Sequence, residues 1–424
     1  MHDNTQNKYT YASIVPLIGG ESLGIQEALN GQLPEYVLSY SPFASNDDHY
    51  IQYIRNTKGW DGDYVFLDEQ PDHVAPYVDV VNSTCPCAGL SSFSTASSAD
   101  SAINEWLYRT AEYVLDKVSP KVFWGENAPR LYSKMGKPVA DRLFEIGQKY
   151  GYSLNLYYTE SRLHGLSQKR GRTFYFFTKS VSAPLFSWFA VAGEPIENIF
   201  NMPYAPGDPM NILCNEEDPN KNGWAAYAMH KTGTTNIKEL YDTLNNTQNL
   251  IVWADGGLGD NLTVVAEWMD ENGYAITAGR ARDMAVKRAK GMGYWAHGIT
   301  LAKGIIPSLI GALPFWMINP FTQTFPTVRD CLRIMKMPED FNLSSIYPLK
   351  RKINHICQNV PVSTARDMMY NVIKYLDGDV VWSESNYTKQ SNKSQTVEYP
   401  TRAEANDSHK LDEFFSLQHK KNLL

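Results

Sequence analysis

Cys87 follows the run Val80-Val81-Asn82-Ser83-Thr84-Cys85-Pro86 and precedes Ala88-Gly89-Leu90-Ser91. The β-branched, apolar stretch reads as a strand, so the thiol stands at a strand's carboxyl end, where α/β active sites sit. An accessible, partly ionised thiolate there is a nucleophile; taken alone, a cysteine reads first as a small buried residue. Glu126 ends a second apolar run, Lys121-Val122-Phe123-Trp124-Gly125, and opens Glu126-Asn127-Ala128-Pro129. A carboxyl group at an apolar strand end should hold its proton above the usual range and be able to donate it; the plainer reading is a turn or helix N-terminal acid. Arg170 and Arg172 alternate just before Thr173-Phe174-Tyr175-Phe176-Phe177. Alternation in an extended chain places both on one face, suited to oxygen or phosphate ligands; by itself the pair also reads as a solvated basic turn.

The elements that must hold these groups are legible around them. Tyr11 to Ile18 reads as a strand, followed by a glycine turn and a helix near Gly24 to Leu29. Tyr36 to Ser41 is a second strand and Asp47 to Asn56 a helix after it. Residues 104–117 carry apolar side chains at helical spacing, and residues 137–151 form an amphipathic helix with Gly151 beyond its end. Residues 153–161 and 172–180 complete the sheet. Strands alternating with helices predict an α/β, doubly wound, Rossmann-like domain over residues 1–180. Residues 181–325 are rich in glycine, asparagine, proline and aromatics, and read as a second, smaller domain. Helical patterns return over 326–376, and residues 377–424 turn polar, which predicts a disordered tail.

Placed in order, these segments resemble the motifs of cytosine-C5 DNA methyltransferases. Pro86-Cys87 is similar to that family's Pro-Cys nucleophile, Glu126-Asn127-Ala128 to its Glu-Asn-Val, and Gln168-Lys169-Arg170-Gly171-Arg172 to its Gln-x-Arg-x-Arg. Thr327-Val328-Arg329-Asp330 resembles the Thr-Val-Arg-Glu helix, and Asn359-Val360-Pro361 the late Gly-Asn-x-Val-Pro segment. The resemblance covers most of residues 10–376. It implies a methyltransferase-like fold with a target-recognition domain, and a reaction in which Cys87 adds to C6 of a flipped cytosine so that C5 becomes nucleophilic. Glu126 would then protonate N3. Arg170 and Arg172 would position the base and the thiol region, Arg329 would support the second domain, and Ser91 to Asp100 would be the loop closing over DNA.

The same resemblance implies S-adenosylmethionine as cofactor, held by Gly19, Gly20 and Gly24 with Asp63, Pro86 and Asn359. The glycine motif departs from the family's Phe-x-Gly-x-Gly-Gly: Val15 stands for the aromatic residue and Leu17 for the first glycine. The second strand offers Ser41, with Asp47 and Asp48 farther along, where an acid normally grips the ribose hydroxyls. Three readings follow: weak use of S-adenosylmethionine, another donor, or a DNA-binding homologue without reaction. A dinucleotide oxidoreductase lacks the spacing it would need.

Double-stranded DNA is the implied partner. Ser91 and Gln168 near the active site, and Arg280, Arg282, Lys287, Arg288 and Lys290 in the second domain, are the expected contacts, the latter to phosphate. The net charge of −7 is awkward for that role, but the cations cluster and the acids lie elsewhere. Five cysteines in 424 residues make no disulfide framework and show no zinc spacing. No apolar run of about 18 residues occurs and the N-terminus lacks a secretory apolar region, so a cytoplasmic monomer without metal is expected.

Overall fold

A nine-stranded mixed sheet organises the chain. The computed structural model describes residues 8–91, 98–250, 261–290 and 299–400. The sheet's strands are β1 (Tyr11–Ile14), β2 (Tyr36–Ser39), β3 (Asp63–Phe66), β4 (Val80–Ser83), β5 (Val122–Asn127), β6 (Ser153–Glu160), β7 (Gly171–Thr178), β8 (Tyr387–Ser391) and β9 (Thr396–Glu398). Their order is β9-β8-β6-β7-β5-β4-β1-β2-β3. All run parallel except β7, which is inserted antiparallel between β5 and β6, and the edge strand β9. β1, β4 and β5 are buried along their whole length, as expected of strands covered on both faces. One face packs Ile14, Leu38, Val81 and Phe123 toward helices α3 (Glu105–Tyr113) and α4 (Lys137–Lys149); the other packs Tyr11, Val80 and Trp124 toward α12 (Val362–Leu376).

The order of winding decides where a ligand can sit. From β1 the chain passes outward through α1 (Gly20–Ala28), β2, α2 (Ala44–Lys58) and β3, then returns to β4 on the other side of β1. The carboxyl ends of β1 and β4 therefore part at a switch point, which opens a crevice there. The glycine turn after β1 and the Cys85-Pro86-Cys87 segment after β4 both border it.

Between β7 and α10 (Val328–Ile334) lies the second unit. Helices α6 (Gly223–Thr232), α7 (Ile237–Thr243), α8 (Leu262–Glu271) and α9 (Ala275–Ala289) bury their own core of Trp224, Leu240, Val265 and Met284. Its flanks, with α5 (Ile196–Phe200) and residues 302–317, pack instead with α2, α10 and α11 (Leu349–Gln358). α10 starts with a reciprocal capping box between Thr327 and Asp330. Arg329 behind it is buried on Asp208 at 2.7 Å, and reaches the Phe341 carbonyl and Asn342, tying the second unit to the first.

One expectation is corrected here. Residues 377–400 are not a disordered tail: Val381–Trp382 pairs with Pro184–Leu185, β8 joins the main sheet parallel to β6, and β9 closes the edge. Asn392 and Gln390 are buried and bond backbone at residues 186 and 189, which a polarity reading scores as solvated surface. Residues 401–424 lie outside the described residues. No helix among the described residues is long and apolar enough to cross a membrane.

Candidate active site

The crevice is a cavity of about 1010 Å³ running from the β1 turn, past Cys87, to the second unit at Thr247, Pro307 and Ser308. Cys87 is half-buried on its wall, whereas Cys85 is buried, its thiol against Ser83 Oγ at 3.1 Å and Thr110 Oγ1 at 3.4 Å. All five cysteines are free. Both border the cavity, but they differ in exposure: Cys87 is half-buried, whereas the Cys85 thiol is turned to core partners. Gly125, opposite on β5, has no room for a Cβ, which would lie 2.2 Å from the Ser83 carbonyl. That close approach lets β5 lie against β4 and carry Glu126 to the cavity.

Glu126 is 2% exposed and forms an ion pair with Arg172. Burial pushes its carboxyl above the usual carboxylate range, and Arg172 and Arg170 pull it partly back. The Cys87 thiol is pushed up by burial and by the Glu126 carboxylate, against the two arginines. Thiol, carboxyl and Arg172 thus form one electrostatic unit, and their alignment follows from antiparallel β5–β7 pairing, with Asn127 opposite Thr173. Arg170 behaves otherwise than expected. It lines the cavity floor but is 1% exposed, and its guanidinium donates to the carbonyls of Leu309, Cys357 and Asn359 at 2.8–3.0 Å. Burial, then Arg172, lowers it to about 9. It braces the two units against each other, which leaves Arg172 as the member of the pair beside Glu126.

Other expected residues are also redistributed. Gln168, expected at DNA, is fully buried; it accepts from Leu309 N at 3.0 Å and donates to the Ile334 carbonyl. Asp63 is exposed at the amino end of β3, away from the crevice. The acids at that strand's carboxyl end are Asp68 and Glu69, which accept from Ser41 N and Oγ. β3 is short and half-exposed, so its own pattern gave no sign of which end carried the acid. Gly24 packs on α12, where a Cβ would meet the Val362 carbonyl at 2.5 Å, and Gly19 lies over the Tyr50 ring. Ser91 and Pro86 do line the cavity; residues 92–97 of the expected closing loop lie outside the described residues.

The turn after β1 holds left-handed geometry at two positions that are not glycine. Val15 and Leu17 have φ of 52° and 55°, a conformation costing about 1–3 kcal/mol in such side chains. Leu17 is held there by its N–H on Asp47 Oδ1 at 2.9 Å. Asp47 is fully buried, also accepts from Ser39 and Tyr64, and is raised by burial to about 8. It locks the turn from beneath and cannot swing to a ribose. Gly20 N donates to Asn359 Oδ1 at 2.9 Å, so Asn359 fastens this turn.

Does this end suit a sulfonium nucleoside donor? Leu17, Pro42, Phe43, Asn46 and Pro86 line it, with Gln358 and His355 from α11. Phe43 packs edge-on to Trp106 at 5.4 Å and supplies an aromatic face for a purine. Asn46 Oδ1 is buried without a partner among the described residues, a polar group left for a ligand. The acids lining the cavity, Glu126 and Glu160, stand at the catalytic end, so no carboxylate lining it is placed for the ribose hydroxyls. The lobe fits such a donor, with fewer charged contacts than the family pattern implies.

In the second unit, Arg282 pairs with Asp270 and Arg280 stacks over Trp316 at 5.4 Å. Lys287 on α9 and Lys290 just past its end are exposed, and the Arg288 side chain lies outside the described residues.

A doubly wound sheet with a half-buried cysteine and a buried acid at its switch point has the layout of a Rossmann-type group-transfer enzyme. Residues 12–374 match the model of the C-5 cytosine-specific DNA methylase family, and the chain belongs to that family. It is a DNA cytosine methyltransferase. Among solved structures it is similar to a putative DNA modification methyltransferase encoded within an E. coli prophage, at 14% identity and a TM-score of 0.54, over 87% of this chain and 99% of that one. It is also similar to an Entamoeba histolytica methyltransferase, at 10% identity and a TM-score of 0.53, over 88% and 99% of the two chains. At these identities the likeness is one of fold. No curated protein sequence matches the chain significantly.

Proposed function

We propose that the chain transfers a methyl group from S-adenosylmethionine to C5 of a cytosine flipped out of double-stranded DNA, through a covalent bond between Cys87 Sγ and C6. The observation that carries this is the grouping of Cys87, Glu126 and Arg172 in one cavity that continues to the glycine turn. C5 of cytosine is a poor nucleophile until C6 is attacked. The Cys87 thiolate forms the Sγ–C6 bond, and the ring's electron pair moves toward N3. Glu126 delivers its proton to N3, so no net charge builds on the base. Arg172 orients the carboxyl group and balances the carboxylate that the transfer leaves. Bound S-adenosylmethionine would supply the electrophilic methyl group, held by Leu17, Phe43, Asn46, Pro86 and Gln358. C5 then loses its proton to water, the Sγ–C6 bond breaks with the thiolate as leaving group, and N3 returns its proton to Glu126. DNA would reach the cavity past Ser91, with Lys287 and Lys290 on phosphates.

DNA containing 5-fluorocytosine tests this directly, because C5 then has no proton to lose. A denaturation-resistant adduct should form in the presence of S-adenosylmethionine and vanish in Cys87→Ser. A second reading, an alternative donor or a DNA-binding homologue, is favoured by the strained Leu17 turn. Modified cytosine in co-expressed DNA without S-adenosylhomocysteine binding would select the alternative donor; no adduct and no product would select the homologue.

A further inference from the structure

The backbone amides of the glycine turn are largely spent. Leu17 N is on Asp47, Gly19 N on the Pro16 carbonyl at 2.9 Å, and Gly20 N on Asn359. A strand-to-helix turn of this kind ordinarily offers those amides to an anion. Any carboxylate on a ligand in this lobe therefore needs other donors.

The opposite wall, built by α2 and α11, has them. His49 and His355 form a buried pair, Nε2 to Nδ1 at 3.0 Å. Ser344 N donates to His49 Nδ1 at 3.1 Å, so that nitrogen bears no proton. The His49 proton is then on Nε2 and is given to His355 Nδ1, which leaves the His355 proton on Nε2. His355 is 6% exposed and lines the cavity, and no group among the described residues accepts from that Nε2. Burial lowers His49 to about 3 and His355 to about 4, so the chain of neutral tautomers holds at physiological pH. Arg351, also lining the cavity, is exposed, donates to Ser45 Oγ at 2.9 Å and lies over Tyr347 at 5.0 Å. Beside them Asn46 Nδ2 donates to Gln358 at 3.1 Å, while Asn46 Oδ1 is buried and unpartnered. A cation, a fixed N–H donor and a bare acceptor on one wall match a carboxylate and an ammonium on one carbon.

We propose that His355, Arg351 and Asn46 form a subsite for the zwitterionic amino-acid end of the donor, with the carboxylate on Arg351 and His355 and the ammonium on Asn46 Oδ1. It rests on the reading that the donor is S-adenosylmethionine. Side chains of α2 and α11 thus replace the turn amides that Asp47 and Asn359 have taken.

Calorimetric titration of the full chain with S-adenosylhomocysteine, and with its decarboxylated counterpart, is the test. The wild type should prefer the carboxylate-bearing ligand. Arg351→Met should lose about ten- to a hundred-fold for S-adenosylhomocysteine, the span of a charged hydrogen bond, and under threefold for the decarboxylated ligand. Arg351 is exposed, so this variant should keep the wild-type melting temperature; His355→Leu should show the same selectivity change if it folds. Equal losses for both ligands, or none, would overturn the subsite while leaving the donor reading intact. Failure of both ligands to bind the wild type would overturn the donor reading and the subsite with it.

Discussion

Replacing Glu126 by glutamine should make the enzyme slower and its thiol faster. The carboxyl group is 2% exposed and paired with Arg172, and its negative charge is, after burial, the largest influence raising the Cys87 thiol. Glutamine keeps the volume and still accepts from Arg172, so the stability cost should be about 1–3 kcal/mol, that of a weakened buried hydrogen bond, and the protein should fold. The amide cannot deliver a proton to N3, so turnover should fall by about 10²–10⁴-fold. The substitution also deletes the anion beside the thiol and leaves Arg172 unopposed. Both changes favour thiolate, so alkylation of Cys87 by iodoacetamide at pH 7.5 should quicken by about threefold or more, since each unit in a thiol pKa is tenfold in thiolate. The assay pairs methyl transfer with alkylation followed by peptide mass spectrometry, against Arg172→Gln, which should slow both. A turnover loss below tenfold would remove Glu126 from the acid role. Slower alkylation in Glu126→Gln would show that the carboxylate does not face the thiol.

Cys87→Ser should abolish turnover, since a hydroxyl ionises far less readily than the thiol and cannot replace it, while Cys85→Ser, at a core position, should keep most of it; the reverse result in a methylation assay would exchange the two assignments. Asp47→Asn should stabilise the protein increasingly between about pH 4 and pH 8. The folded carboxyl is raised to about 8 against 3.8, so the wild type loses stability through that window as the unfolded chain ionises first, at about 1.4 kcal/mol per pH unit at most. Denaturant melts of both proteins at three pH values check the sign, and parallel curves would show that Asp47 titrates normally. DNA affinity should fall steeply with salt despite the acidic balance, and neutralising Arg280, Arg282, Lys287, Arg288 and Lys290 should flatten that slope. Most of the change should come from Lys287 and Lys290, because Arg282 is paired with Asp270 and Arg280 is stacked on Trp316; an unchanged slope would place the DNA path elsewhere.

Local chemistry was legible in the sequence wherever one short segment carries it whole. Strands β1, β4 and β5 are apolar because both their faces are covered, and a residue at the end of such a strand must lie at the crevice rim. Cys87 and Glu126 could therefore be named from their own neighbours. What the sequence left open is whatever depends on which segments meet. The polar residues of 387–392 look solvated until β6 pairs with them. Arg170 and Arg172 share a cavity, yet one meets three carbonyls from distant segments and the other a carboxylate, and no spacing distinguishes those partners. Gln168 was read as a contact to DNA because its exposure is decided by Leu309 and Ile334, 141 and 166 residues away. The substitution of Leu17 for glycine was visible, but the buried carboxyl group that stabilises the resulting backbone comes from α2. Likewise His49 and His355 lie 306 residues apart, and only the packing of α2 against α11 makes them a pair with a directed proton. Hydrophobic periodicity determines the faces of each element; electrostatic roles belong to pairs, and tertiary structure chooses the pairs.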